Sequence, residues 1–303
     1  MNFDLGEVLT RMWKVGWNHK VLWLWQMLPG LLAAVTLPVF ILTNPGFMLL
    51  LPEPFNQYVD EPWIMIAFAG MTFLLVIPSM FLQVLAQLAT TYGAVKVEKG
   101  AEKIAFMELF RESLPYFWRV FGLYALFAGG WMVIWVGFMA VFMAGSMLTM
   151  GLAALCFMPL FFLAIPIFIV GYSILELAQA AIVADDMPLM DAIARGWSLF
   201  RANVLGVIIL MLILYFGLSI LSSAFVFPMM LPMMLLMPLG LNSQGNPNDM
   251  MLVFFLVIFP LMFVLIFAVQ GILMAFFQSA WAALYLCLGR SPDNPVTADA
   301  PPR

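Results

Sequence analysis

Glu176 is the one acidic residue preceded by a long apolar run, the stretch from Leu152 to Leu175. An ionisable side chain within a membrane span is costly and marks a functional hypothesis by default, here a proton or cation site. Two amides stand in matching surroundings: Gln87-Leu88-Ala89, Glu176-Leu177-Ala178 and Gln278-Ser279-Ala280 each place a polar group near the end of an apolar run. If those runs pack around one axis, Gln87, Glu176 and Gln278 form an intramembrane polar cluster. The plainer reading puts Glu176 near the headgroups, paired with Arg195 or Arg119. It is the favoured one, because Asp185 follows within a few turns. Gln83 and Gln87 share one helical face and Gln270 and Gln278 share most of another. Such amides are better suited to gluing helices than to lining a solute path, at about 0.6 kcal/mol per bond.

Other chemistry finds less support. The run Met229-Met230-Leu231-Pro232-Met233-Met234-Leu235-Leu236-Met237, with Met139, Met143, Met147 and Met150, offers soft thioether ligands of the kind that suit Cu(I). Methionine is also a flexible apolar filler, and 26 of them are spread along this chain with no His or Cys beside the cluster. Asp185, Asp186 and Asp191 resemble a diphosphate–metal motif but read more simply as a loop and a helix cap. The single histidine, His19, precedes an apolar run beside Lys20, where a snorkelling role is natural. No HExxH, GxSxG or phosphate loop occurs, so the chain is read as a non-enzyme without cofactor or metal. Cys156 and Cys287 lie far apart in apolar sequence and read as small buried hydrophobes.

The elements that must position these groups follow from composition. Of 303 residues, 65% are hydrophobic and 9% charged, and mean hydropathy is +1.06. A soluble domain carries about a quarter charged residues. The bilayer is therefore the expected solvent, and a chain with long unbroken apolar runs crosses it as helices rather than as a barrel. A ruler of about 20 residues per crossing gives six transmembrane helices at Val21–Thr43, Trp63–Thr90, Phe117–Met147, Leu152–Ala178, Val204–Leu236 and Met251–Leu286. The short turn around Gly145–Gly151 implies a tight hairpin. Gly129, Gly130, Gly137 and Ala125 supply small surfaces for close packing in the third span. The expected fold is all-α, a single six-helix membrane domain over residues 1–290 with a disordered cytoplasmic tail at 291–303. No cleavable signal is read at the start, so the first span serves as a signal anchor.

All twelve Lys and Arg fall on one side of this plan, and the loops Asn44–Pro62 and Pro238–Met250 contain none. The positive-inside rule then puts both termini in the cytoplasm of a cell with the protein in its inner membrane. Before each odd-numbered span lies an amphipathic segment: Leu5, Val8, Leu9 and Met12; Met107, Phe110, Leu114 and Phe117; Leu189, Ile193, Trp197 and Phe200. Opposite them stand Glu7 and Arg11, Glu108 and Arg111, and Asp191 and Arg195, spaced as ion pairs. These three helices are expected along the interface with their apolar faces in lipid, capped at Asp4 and Asp186, and with Trp13, Trp118 and Trp197 as interfacial anchors. Together the pattern suggests a three-fold repeat of amphipathic helix, odd span and even span.

The segment Asp4-Leu5-Gly6-Glu7-Val8-Leu9-Thr10-Arg11-Met12-Trp13, then Asn18-His19-Lys20-Val21-Leu22-Trp23, carries a resemblance. So does Asp191-Ala192-Ile193-Ala194-Arg195-Gly196-Trp197-Ser198-Leu199-Phe200. Both are similar to uncharacterised bacterial six-span proteins related to the membrane domain attached to some glycerophosphodiester phosphodiesterases. The resemblance implies a membrane role without a settled activity, and the phosphodiesterase barrel has no counterpart here. The function expected is a membrane-embedded scaffold, accessory or interaction module. The alternative is a transporter of a small solute or lipid-like molecule. The expected partners are the lipid bilayer and a second membrane protein, with no nucleic acid; the oligomeric state is left open.

Overall fold

A computed structural model describes residues 4–43, 62–239 and 257–289, and every element among them is helical. In chain order these are α1 (Leu5–Asn18), α2 (Val21–Thr43), α3 (Pro62–Glu98), α4 (Phe106–Ser113), α5 (Phe117–Leu148), α6 (Leu152–Asp185), α7 (Leu189–Ala202), α8 (Val204–Leu239) and α9 (Phe259–Gly289). A single 3-10 turn, Leu114–Tyr116, joins α4 to α5. Five stretches are long and apolar enough to cross a bilayer: Gly70–Glu98, Phe106–Leu148, Ala164–Asp185, Val204–Leu231 and Pro260–Gly289. α2 contributes a shorter apolar stretch, Val21–Ala34. The protein is therefore a helical multi-pass membrane protein.

The repeat legible in the sequence recurs in the element order: a short amphipathic helix precedes two long apolar ones in each third. α1 passes into α2 through His19 and Lys20, and α7 passes into α8 through Asn203 alone. Asp4 caps α1 as expected, its Oδ1 accepting from the Gly6 amide at 2.8 Å. The cap of α7 differs. Pro188 holds that position, its carbonyl accepting from the Ala192 amide at 2.9 Å. Asp186 instead takes a left-handed conformation at the end of α6 (φ 52°), where Arg119 holds it at 2.6 Å. The α5–α6 hairpin is as tight as the sequence implies: Met150 (φ 52°) and Gly151 (φ 92°) reverse the chain, and the Gly151 amide bonds the Ser146 carbonyl at 2.8 Å.

Burial is asymmetric along the bundle. The core gathers where the C-terminal halves of α3, α6 and α9 meet one another and the starts of α2 and α8, around Leu22, Leu88, Leu177, Leu210 and the fully buried Trp281. Ion pairs show that this is the basic end: Arg11 on α1 reaches Glu98 on α3 at 3.0 Å, and Lys96 grips Glu108 and Glu112 of the α4 region at 2.5 and 2.6 Å. Tyr285 on α9 donates to Asp185 on α6. Away from that end α5 exposes Met132, Val133, Trp135 and Val136, and from Tyr124 to Leu148 it has no buried residue.

Backbone-close contacts fall elsewhere than the glycines of α5. Among the described residues a Cβ on Gly129, Gly130 or Gly137 would meet nothing within 4 Å, so no described neighbour packs on them as anticipated. Close approaches include Gly30 and Gly271, where α2 and α9 interlock through Phe267 and Met27, and Gly196, where a Cβ would lie 2.9 Å from the Ile174 carbonyl oxygen. Sequence periodicity locates small residues but not the helix they face.

The amphipathic helices also depart from expectation. Each lays one face on the bundle rather than giving its whole apolar side to lipid. In α7 the buried positions are Ala192, Gly196, Leu199 and Phe200, whereas Met190 and Trp197 look outward. In α4 Leu109 and Ser113 are buried and Met107 and Leu114 are exposed. Only α1 buries the anticipated face, at Val8 and onward to Val15 and Gly16. A helix wedged between bundle and membrane needs two apolar faces, and the single-stripe reading found only one of them.

Candidate functional site

α3, α6 and α9 bring their polar residues together because small neighbours, Ala89, Ala178, Ala181, Ala280 and Ala283, are all fully buried between them. Side-chain bonds cross the three helices in series. The Tyr124 hydroxyl of α5 donates to Gln179 Oε1 at 2.6 Å, and Gln179 Nε2 donates to Thr91 Oγ1 at 2.8 Å. Thr91 donates in turn to Gln278 Oε1 at 3.0 Å, and Gln278 Nε2 to Glu176 Oε1 at 3.4 Å. Tyr172 lies one turn before Glu176 on α6. A second, adjoining layer ties in α2, with Gln26 Nε2 donating to Thr90 Oγ1 at 3.2 Å and to the Ala86 carbonyl at 3.4 Å.

Two of the three anticipated residues thus meet directly. Gln87 is buried one turn from Thr91 on the same face, but it bonds neither Glu176 nor Gln278 among the described residues, and its Oε1 has no partner. Glu176 is 1% exposed, and its Oε2 is likewise without a partner. Contrary to expectation, among the described residues no ion pair joins it to a basic residue. Arg119 is taken by Asp186. Glu176 faces inward instead, toward Gln278 of α9.

The pairs anticipated within the amphipathic helices are reorganised too. Glu7 pairs with Arg11 as expected. Glu108 pairs with Lys96 rather than Arg111, and no ion pair joins Asp191 to Arg195 among the described residues. Long-range partners from the bundle displace the local ones because α4 and α7 are docked on it. His19, half-buried at the α1–α2 junction, has its imidazole held below the ordinary value by burial.

The interfacial tryptophans are all exposed. Trp13 stacks on Trp17 and Phe276, each at 5.4 Å, Trp118 meets Phe117 and Phe121 edge-on, and Trp197 lies along Phe200. Each therefore has an apolar flank on the protein and a free face for the membrane, as Trp at an interface prefers. Of the methionines, Met139, Met143, Met147 and Met150 are exposed and Met229 and Met230 half-buried. The side chains of Met233, Met234 and Met237 lie outside the described residues, as do the loops near Tyr58 and Asn246, the start of the sixth span and the tail. Among the described residues no three His, Cys, Asp or Glu groups converge as a metal site would require.

Reasoning from sequence missed Thr91, Gln179, Tyr124 and Tyr172. Helical spacing offered a signal for each of the first two: Thr91 is one turn beyond Gln87, and Gln179 is three residues beyond Glu176. Nothing in the sequence marked Tyr124, whose partner is set by how α5 crosses α6. No protein-family model, curated protein or solved structure matches the chain.

Proposed function

We propose that this is a six-span scaffold or accessory module of the inner membrane, with both termini cytoplasmic, that holds a partner membrane protein or lipid against a rigid polar-keyed core. The observation carrying the reading is the enclosure of the polar cluster. Gln278 and Glu176 are almost wholly buried and joined to Thr91 and Gln179 by side-chain bonds, which is how interhelical keys are built. A hydrophilic path needs groups free to replace the shell of water around a solute, and here most are engaged with one another, with Glu176 Oε2 and Gln87 Oε1 left without a partner among the described residues. The concentration of ion pairs and basic residues at the packed end supports its cytoplasmic placement.

Transport of a lipid-like molecule is the second reading. It is favoured by two cavities, about 460 and 430 Å3, which flank Tyr172 and so reach the edge of the cluster. Proteoliposomes loaded with a pH-sensitive dye separate the two. The scaffold reading expects wild-type and Glu176→Gln vesicles to dissipate an imposed pH gradient no faster than empty ones. A wild-type leak abolished by Glu176→Gln, with insertion unchanged, would overturn it.

A further inference from the structure

The larger cavity lies between α6, α8 and α9, and its polar lining is Tyr172, Tyr215, Ser219, Ser222, Ser223 and Gln270. Tyr215, Ser219, Ser222 and Ser223 recur at helical spacing, so α8 turns one polar stripe toward α9. Gln270 answers from α9, its Nε2 donating to Ser222 Oγ at 2.5 Å. Ser222 keeps its own proton to donate.

The serines of this stripe differ from several hydroxyl residues elsewhere in the protein, although Ser146 Oγ is unpartnered too. Ser173, Ser279, Thr90 and Thr149 each satisfy their hydroxyl on the carbonyl four residues back, at 2.7–2.8 Å. Ser219 and Ser223 are exposed and make no hydrogen bond among the described residues. In hydrocarbon there is no water to compensate, so two hydroxyls left facing it are costly unless something membrane-dissolved meets them.

Height fixes where that would be. At 1.5 Å per residue, Ser222 lies about 27 Å from Val204 and Gln270 about 28 Å from Gly289, so the two meet at one level. In the apolar stretches Val204–Leu231 and Pro260–Gly289 this level lies past the middle, in the leaflet opposite the basic end and about 14–15 Å short of the far end. Below the stripe the walls are apolar, with Leu214, Leu218, Leu273 and Phe277 running down to Tyr172. Among the described residues no charged one lines the cavity, so a charged ligand would find no counter-ion on them.

The geometry points to a lateral binding site for a neutral acyl amphiphile of that leaflet, its ester or hydroxyl group on Ser219, Ser222, Ser223 and Gln270 and its chain along the apolar walls. A partner helix fits less well. One turn of helix, 10–12 Å across and 5.4 Å long, fills about 400–600 Å3, so 460 Å3 holds a single turn at most. The site stands independently of whether the protein is a scaffold or a transporter.

The test uses the full chain in phosphatidylcholine nanodiscs with a diazirine-bearing monoacylglycerol as probe. Labelling should concentrate on the peptides carrying residues 215–223 and 270–274, saturate, and be competed by unlabelled monoolein but not by hexadecane. The Ser222→Ala/Gln270→Leu double variant should lower labelling roughly 2- to 10-fold, the range one neutral hydrogen bond supplies. Ser219→Phe should abolish it by filling the cavity, and Ser223→Leu replaces that variant if it does not elute as a single folded species. Labelling spread evenly over the lipid-facing helices would overturn the site, as would equal competition by hexadecane. Capture of a protein rather than lipid by a photoreactive residue replacing Tyr215 in native membranes would overturn the occupant.

Discussion

Thr91→Val removes one oxygen from the centre of the polar core and little else. The side chain is 1% exposed, and valine keeps its shape. The lost hydroxyl is donor to Gln278 Oε1 at 3.0 Å and acceptor from Gln179 Nε2 at 2.8 Å, so two buried amide atoms lose their partner together. Interhelical bonds in membranes average about 0.6 kcal/mol, and a buried group left unsatisfied costs about 1–3 kcal/mol. The expected loss is about 2–6 kcal/mol, above the sum of two ordinary bonds because neither glutamine can turn to water. Reversible unfolding in mixed micelles measures it, with Thr10→Val on exposed α1 as the control, expected within about 0.5 kcal/mol of wild type. A cycle with Gln278→Leu should show coupling, because the variant lacking both partners leaves fewer orphaned groups than the two single changes together. A Thr91→Val loss no larger than that of Thr10→Val, with no coupling, would refute the view that Thr91 is the node joining three helices.

Gly196→Ala should destabilise by about 1–3 kcal/mol through overpacking, since its Cβ would press on the Ile174 carbonyl oxygen and the Ala178 amide nitrogen, backbone atoms that cannot turn away. Gly130→Ala, with open space around it, should be silent in the same melt. Lys96→Gln should raise amide exchange across α4, because the lysine is what ties Glu108 and Glu112 to α3; unchanged exchange would show that apolar contacts alone dock it. The depressed imidazole of His19 predicts stability that is present above the ordinary histidine value and declines as pH falls, because the unfolded chain then binds a proton the folded chain resists. His19→Gln should flatten that part of the profile, and an unchanged profile would assign the pH response elsewhere. Impermeant thiol reagents should reach cysteines placed at Lys99 and Asp186 only from the cytoplasmic side, and labelling of Lys99 from the opposite side would invert the topology.

The fold was legible wherever it depends on hydropathy and on local chain direction. The α2 helix occupies Val21–Thr43 as the apolar ruler implied, and the α5–α6 reversal falls within Gly145–Gly151. Helix ends were less legible, because α3 runs on from Thr90 to Glu98 and α6 from Ala178 to Asp185 under the protection of partners supplied by other helices. The matching places of Glu176 and Gln278 were visible as a repeated motif and proved to be neighbours. That Glu176 would turn inward, away from Arg119 and Arg195, was not visible. The choice depends on the rotation of α6, which is fixed by the contact of Gly196 with Ile174 and Ala178. Likewise Gly129 and Gly130 looked like packing surfaces only because sequence shows residue size without showing what lies opposite.

The central claim is that the polar cluster is closed. Ala180, one turn beyond Glu176 and fully buried, reports on it most directly. With Cys156 and Cys287 replaced by serine, Ala180→Cys should fail to react with a water-soluble methanethiosulfonate in the folded protein, while Lys99→Cys reacts readily. Reaction at Ala180→Cys as fast as at Lys99→Cys, in protein that still elutes as a single folded species, would show a water-filled route to the cluster and contradict the account.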